Sequence, residues 1–216
     1  MQRATSLELY RYWNIVRGQR LAPKRFEIEP SDISDLLPET LILETQHDSE
    51  YRYRLAGTRI CELFGREFRG SGFLDQWDEP DRTTLFRRLR LIKERGAVLC
   101  FEFEIKSAHG HTAILECLML PLQHGSRRVE RFLGCMGPIA DAPWIGEHEI
   151  VARKLGSFEI LWPDTIDAQT VDHTSSNLPQ DAMMPLPIRT ARIVRDKRRQ
   201  FRVYDGGLAT SPSDDR

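Results

Sequence analysis

The sequence has few cysteines and no long apolar segment. No stretch approaches the roughly 20 consecutive apolar residues that a membrane helix needs. Residues 1–13 carry charges throughout and lack the apolar core of a secretory signal. No two cysteines form a C-x-x-C pair, and all four lie among apolar residues: Cys61, Cys100, Cys117 and Cys135. These absences argue against a zinc knuckle and predict a cytoplasmic protein with reduced, buried thiols.

Motifs of common enzymes are also missing. The sequence contains no nucleophile elbow, phosphate-binding glycine loop or metalloprotease helix. His109-Gly110-His111 could suggest a metal, but it falls at a predicted hairpin turn with no third ligand visible nearby. Thr58, Glu79, Asp81 and Arg82 are interpreted as residues that start helices. We therefore predict no catalytic residue and no metal site, and the sequence does not identify a cofactor.

The charge that is present is unevenly distributed. The 216 residues are 40% hydrophobic and 29% charged, with a net charge of −1. Residues 187–204 alone contain seven Lys or Arg and one Asp, which makes the rest of the chain acidic. This basic segment could fold back on the chain, bind nucleic acid or an anionic membrane, or dock on a protein. Its β-like alternation of apolar residues favours docking, through Arg189, Arg192, Arg195, Lys197, Arg198, Arg199 and Arg202.

Hydrophobic periodicity predicts an α+β fold. An amphipathic N-terminal helix runs to about Arg17, and helical patterns recur at 58–64 and 79–96. Short connections predict antiparallel neighbours among the strand patterns, which lie at 40–45, 51–57, 97–107, 111–122 and 130–139. The strand at 111–122 is apolar on both sides, so we expect the N-terminal helix to cover the outer face of a five-stranded sheet. Beyond Asp141 the pattern decays.

The middle of the chain resembles a PAS domain. Leu63-Phe64-Gly65, Glu67, Gly70 and the helix entry Glu79-Pro80-Asp81-Arg82 match the family's pattern, and the opening residues match a bacterial, mostly alphaproteobacterial, stand-alone PAS-like family. The resemblance covers about residues 6–145. It implies a lead-in helix and loop at 1–30 and a PAS-like domain at 31–145. We expect a short helix and a disordered linker at 146–187, and a basic segment at 188–216.

In PAS domains the short helices wrap over the concave face of the sheet and often enclose a small molecule. The resemblance therefore implies a ligand pocket, although the same residues could simply pack a solid core. Ser71-Gly72-Phe73 holds no cysteine for a flavin adduct, and the helix at 79–96 holds no histidine for heme. The candidate pocket residues are Ile60, Phe64, Phe73, Leu85, Leu89, Phe101, Phe103, Leu115, Cys117 and Met119.

The resemblance also implies a regulatory function. PAS domains commonly dimerise through the N-terminal helix and the outer sheet face, and the candidates here are Tyr10, Trp13, Ile114, Leu118 and Leu120. We predict a non-catalytic sensory module that signals through protein partners, with homodimerisation or a small ligand as modulators. The alternative is a nucleic-acid- or membrane-associated regulator that uses the basic segment, although nucleic acid is the less favoured partner. A small hydratase or isomerase is disfavoured, because the inward strand positions carry no paired ionisable residues.

Overall fold

The protein is described by a computed structural model that covers residues 1–46, 50–124 and 128–163. The predicted α+β class is confirmed. The α-helices are α1 (Ala4–Arg17), α2 (Thr58–Phe64) and α3 (Asp81–Arg95), and short 3-10 turns span Arg25–Glu27, Pro30–Glu39 and Leu74–Gln76. The strands are β1 (Thr40–Gln46), β2 (Glu50–Ala56), β3 (Val98–Ser107), β4 (Thr112–Gln123), β5 (Val129–Pro138) and β6 (Ile150–Leu161). None of these described helices has the length and apolar character to cross a bilayer. The basic segment and most of the predicted linker lie outside the described residues.

One antiparallel sheet carries all six strands, in the order β2-β1-β5-β4-β3-β6. Five of them fall where periodicity predicted strands. The sixth corrects the sequence analysis, which expected a short helix after residue 146. Residues of β6 are exposed on both sides of the strand, so they lack the alternation that marks a half-buried strand. Pairing with β3 along almost its whole length determines its structure instead.

The inner face of the sheet packs against α2 and α3. Leu85, Leu89 and Ile92 form the buried stripe of α3, as the 3.6-residue period predicts. The same core includes Phe101 and Phe103 of β3, which are 1% exposed. Burying side chains of this size typically contributes about 2 kcal/mol each. The same core therefore holds the helices over the sheet and determines where any site on this face can lie.

A close turn joins β2 to α2. The N–H of Gly57 donates to Thr40 O at 2.8 Å. A side chain at Gly57 would collide with the carbonyl oxygens of Leu37 and Pro38. At the other end of α2, Gly65 adopts φ +62°, the left-handed conformation that ends helices. Gly57 thus lets the chain pass directly from the edge strand β2 into α2, and Gly65 lets it leave the helix after only seven residues.

The outer face of the sheet is covered by α1, as predicted. Trp13 is fully buried there, and its indole N–H donates to Pro121 O at 2.9 Å. At the start of α1 the buried carboxylate of Glu116, on β4, accepts the backbone N–H groups of Gln2 and Arg3. A carboxylate suits this position because the first N–H groups of a helix have no partner within the helix. Glu116 thus anchors the helix, and the covered face becomes part of the core.

Candidate functional site

The ten predicted pocket residues lie together between the sheet and the helices. Nine of them are buried, and Phe64 is half-buried at the edge of the same hydrophobic core. The structure therefore brings together residues from α2, α3, β3 and β4, as the PAS resemblance implies. It supports the core interpretation of these residues, because other side chains fill the space between them. A role in ligand binding stays a prediction.

Aromatic rings occupy the centre of this interior. Trp77 lies with its ring 5.1 Å from Phe103 and 6.1 Å from Phe101, centroid to centroid, in edge-on geometry. The ring of Tyr53 lies 4.9 Å from that of Phe68, centroid to centroid, in a tilted arrangement. Such ring pairs add about 0.5–1.5 kcal/mol each beyond the area that they bury. The sequence analysis missed Trp77, although it follows Phe73 by four residues and so returns to the same side of a helical turn.

A narrow space remains where the interior approaches the surface. Its empty volume is ≈ 190 Å³, too constricted to admit a water molecule. It is lined by Tyr53, Phe64, Phe73, Gln76, Trp77, Phe103, Met136 and Arg153. The polar members of this lining are therefore the groups nearest to any molecule that entered the domain.

Arg153 closes the mouth of this space. Its guanidinium lies over the ring of Phe64 at 4.3 Å and donates to Gln76 Oε1. Burial lowers the pKa of Arg153 to about 10, the phenol of Tyr53 acts against that shift, and the nearby Arg66 adds to it. Within the described part of the chain, no carboxylate forms an ion pair with Arg153. The side chain comes from β6, which no local pattern predicted as a strand, so its position here could not be predicted from sequence.

Tyr53 and the thiols are held in their neutral forms. Burial raises the pKa of the Tyr53 phenol well above its usual value. Burial likewise raises the pKa of Cys100 to about 12 and that of Cys135 to about 11. Cys117 shifts in the same direction for the same reason. These thiols are poor nucleophiles at neutral pH, since the thiolate is the reactive form, and they act as small core hydrophobes.

The histidine pair at the β3–β4 turn has a third histidine beside it. Nδ1 of His111 lies 3.2 Å from Nδ1 of His148, and the ring centroid of His109 lies 4.4 Å from that of His148. His148 is distant in sequence and reaches the pair because the loop before β6 returns to this turn. Among the described residues, no set of three or more His, Cys, Asp or Glu side chains is arranged to hold a metal ion.

Four of the five predicted dimer residues are buried within the chain itself. Trp13, Leu118 and Leu120 are 0% exposed and Tyr10 is 7% exposed, because α1 lies directly on β4 and β5. Only Ile114, at 42% exposure, is accessible to a second copy. The four are therefore corrected from surface to core residues. Homodimerisation itself stays a prediction.

A basic groove on the surface was not predicted from the sequence. It has a volume of ≈ 700 Å³. Its lining combines cations with apolar side chains: Lys24, Arg25, Phe26, Ile42, Arg54, Leu55, Arg69, Gln123, His124 and Arg131. These residues come from six separate parts of the chain, so no run of charge in the sequence could have revealed them. The predicted basic segment lies outside the described residues.

Comparisons with known proteins were made for the curated proteins and for the solved structures. No curated protein matches the chain. Similar solved structures include a light-oxygen-voltage domain studied with a flavin analogue, at 16% identity, with 51% of this chain and 84% of that chain covered and a TM-score of 0.40. A PAS domain from Colwellia psychrerythraea is 12% identical over 50% of this chain and 94% of that chain, with a TM-score of 0.38. An RNA-binding light-oxygen-voltage receptor is 16% identical over 51% of this chain and 33% of that chain, with a TM-score of 0.39.

The family itself is identified from sequence. The family model described as PAS domain matches residues 1–137, which is more than half of the 216 residues. That range runs from α1 almost to the end of β5 and includes the filled interior. The strand β6, and with it Arg153, lies beyond the match. The chain therefore belongs to the PAS domain family, a family of sensory and signalling modules.

Proposed function

We propose that this protein is a non-catalytic regulatory module that acts in signal transduction through contacts with other proteins. The observation that carries the proposal is the occupied interior: the residues that could enclose a ligand are packed by the chain's own aromatic rings. A module of this kind transmits its signal through its surface. We place it in the cytoplasm, where its four free thiols stay reduced.

The surface offers apolar side chains for such contacts. Ile15 is 80% exposed, Phe26 is 72% exposed and Val151 is 57% exposed. Single exposed apolar residues are common on protein surfaces. Their positions therefore decide whether they are useful sites at which to look for a partner. The three lie on α1, on the Arg25–Glu27 turn and on β6, and Ile114 adds the start of β4. The four residues therefore lie on different elements, and each marks a surface on which a partner or a second copy could bind.

Site-specific photo-crosslinking in the source cell tests the proposal. A benzoylphenylalanine would be placed singly at Ile15, Phe26, Ile114 or Val151. We expect a discrete crosslinked species at one or two of these positions, with its partner identified by mass spectrometry. A crosslink to the same chain would indicate a homodimer. If every position gave only unlinked protein while a buried control at Leu89 gave the same result, the interaction function would be rejected.

A small ligand is the second candidate modulator, and Arg153 favours it. A half-buried guanidinium without a described carboxylate partner lies beside Gln76 and Tyr53 at the mouth of the interior. We expect a ligand here to be small and negatively charged. Absorbance and mass spectrometry of freshly purified protein check this directly. A stoichiometric anion released on denaturation, and absent from the Arg153→Ala variant, would support it, whereas an empty protein would leave Arg153 with a packing role only.

A further inference from the structure

We propose that the basic groove binds an acidic segment of a partner protein, with an apolar side chain of that segment seated on the groove floor. The inference rests on the proposed function, because it names the surface and the partner chemistry of the protein contact. The basic groove is the set of ten residues around the ≈ 700 Å³ depression between the Arg25–Glu27 turn, β1, β2 and the ends of β4 and β5.

The charge of the groove is of one sign. Five lining residues are Lys or Arg, and none of the described lining residues is Asp or Glu. One nearby carboxylate, Glu44, serves two of the arginines, at 3.6 Å from Arg54 and 3.9 Å from Arg131. Both distances are long for an ion pair with direct hydrogen bonds. Glu44 thus neutralises part of the charge of the five cations, and Glu130 near Arg131 and Glu27 near Lys24 offset a further part of it.

The arginines repel one another across the groove. Arg131 is the least accessible of them, with a side chain that is 15% exposed. Burial lowers the pKa of Arg131, and the neighbouring Arg54 and Arg25 lower it further, while Glu44 opposes the shift. Arg69, at the opposite wall, is exposed. An incoming anion would relieve this repulsion, and guanidinium groups bind carboxylates in paired hydrogen bonds.

The floor of the groove selects the kind of anion. It is apolar, and two of its residues are open to solvent: Phe26 is 72% exposed and Leu55 is 42% exposed, with Ile42 buried beneath. Lys24 Nζ lies 5.5 Å from the Phe26 ring centroid, so one face of that ring is already occupied by a cation. A phosphate backbone would leave the apolar floor in contact with water and would find little free aromatic surface for base stacking. A peptide that alternates carboxylates with Leu or Phe satisfies both the rim and the floor.

The size of the depression agrees with this occupant. A volume of ≈ 700 Å³ falls within the roughly 300–1,000 Å³ that binding sites for drug-sized groups span. It accommodates one large apolar anchor and its immediate neighbours, the arrangement in which a few central side chains dominate affinity. The chain's own segment at 187–204 is not the occupant we propose, because its seven Lys or Arg would repel the five cations of the groove.

Fluorescence anisotropy on the full chain tests the inference. The probe is a short fluorescein-labelled peptide in which Glu and Asp alternate with Leu and Phe. The test variant is Arg54→Glu combined with Arg69→Glu, and the matched control is Arg11→Glu combined with Arg87→Glu, which changes the charge equally at exposed positions outside the groove. We expect the groove variant to weaken binding by about tenfold or more and the control to leave it within about twofold. Thermal unfolding of both variants shows that each is folded.

Three further probes define what would overturn the inference. A peptide with Ser in place of Leu and Phe should bind more weakly, because it cannot use the floor. Equal loss in the groove variant and the control would show non-specific attraction and reject the site. Stronger binding of single-stranded oligothymidine than of the acidic peptide would also reject it, in favour of nucleic acid. Crosslinks in the cell that form only at Ile15 or Val151, with no peptide binding, would reject the groove and leave the proposed function standing.

Discussion

At the scale of residues, ionisable side chains are buried where elements meet. Glu116 receives the start of α1, Arg153 covers the ring of Phe64, and Cys135 donates its thiol hydrogen to Ser6 Oγ at 3.5 Å. Each finds hydrogen-bond or ring partners that offset the loss of water. Burial of such groups is often read as evidence of catalysis. Here their contacts hold the fold together.

The buried thiols predict how stability depends on pH. A thiol in the unfolded chain loses its proton near 9.0, whereas Cys100 and Cys135 retain theirs to about 12 and about 11 in the folded state. Above about pH 9 the unfolded state therefore binds fewer protons, and the free energy of unfolding falls as pH rises, by up to about 1.4 kcal/mol per pH unit for each thiol. Urea unfolding between about pH 8 and pH 10.5 measures this slope.

Variants separate the thiols from other groups that titrate in this range. Cys135→Ala should reduce the slope, while Cys61→Ala should change it little, because Cys61 is only half-buried. The quantity compared between variants is the slope of the free energy of unfolding against pH. Identical slopes for the wild type, Cys135→Ala and Cys61→Ala would contradict a thiol origin.

Among the elements, α1 and β6 attach to the sheet in different ways. The helix α1 covers its outer face, whereas the strand β6 extends it at one edge. The helix is identifiable locally, because its apolar face recurs at the helical period. The strand β6 is attached by pairing with β3 and by side-chain contacts to the helical layer, among them one in which Asp81 Oδ2 accepts the N–H of Leu155 at 2.7 Å. Asp81 also lies in the first turn of α3, where a negative charge favours the helix.

Asp81→Ala should therefore loosen both elements. We expect a loss of about 1–2 kcal/mol in the free energy of unfolding, from one charge-assisted hydrogen bond and one favourable helix-end charge. Asp78→Ala is the control, since Asp78 is exposed and precedes the helix. Urea denaturation gives the two values, and hydrogen exchange should show faster exchange of the Leu155 amide in Asp81→Ala alone. Equal losses in the two variants would show that the contact contributes nothing.

At the scale of the whole molecule, the buried hydrophobic residues of the described core fall between Leu9 and Met136. We therefore expect a chain that ends at residue 163 to unfold cooperatively, with a Tm within about 2 °C of that of the full chain. A shift of that size corresponds to a loss of about 0.3 kcal/mol or less in the free energy of unfolding. Differential scanning calorimetry provides the measurement. Loss of the cooperative transition would mean that the fold depends on residues beyond 163.

The same truncation tests the alternative function of the basic segment. If residues 188–216 bind nucleic acid or an anionic membrane, the full chain should bind oligonucleotides or phosphatidylserine vesicles with an affinity that falls steeply with salt. The truncated chain should not. Binding that persisted after truncation would assign the anion to the body of the protein, and the basic groove would be the surface to test next.

Local patterns in the sequence account for most of the architecture. Period 3.6 in α1 and α3 and period 2 in β3 reflect which side chains must be buried, and burial is the dominant favourable term in folding. The ten pocket candidates, chosen from the PAS resemblance, lie in one hydrophobic core, and their role in ligand binding stays a prediction. The PAS resemblance then identified the family from a few turn and helix-start residues. Local signals of this kind need no knowledge of distant partners.

Only the tertiary structure decided the features that depend on distant residues. β6 is a strand because the edge of β3 was open to pairing, and Arg153 reaches the interior because β6 lies there. The loop before β6 likewise brings His148 to the turn of His109 and His111. The basic groove forms where six separate parts of the chain converge. Each depends on contacts between residues far apart in sequence, whose energies are fixed by geometry that no local pattern encodes.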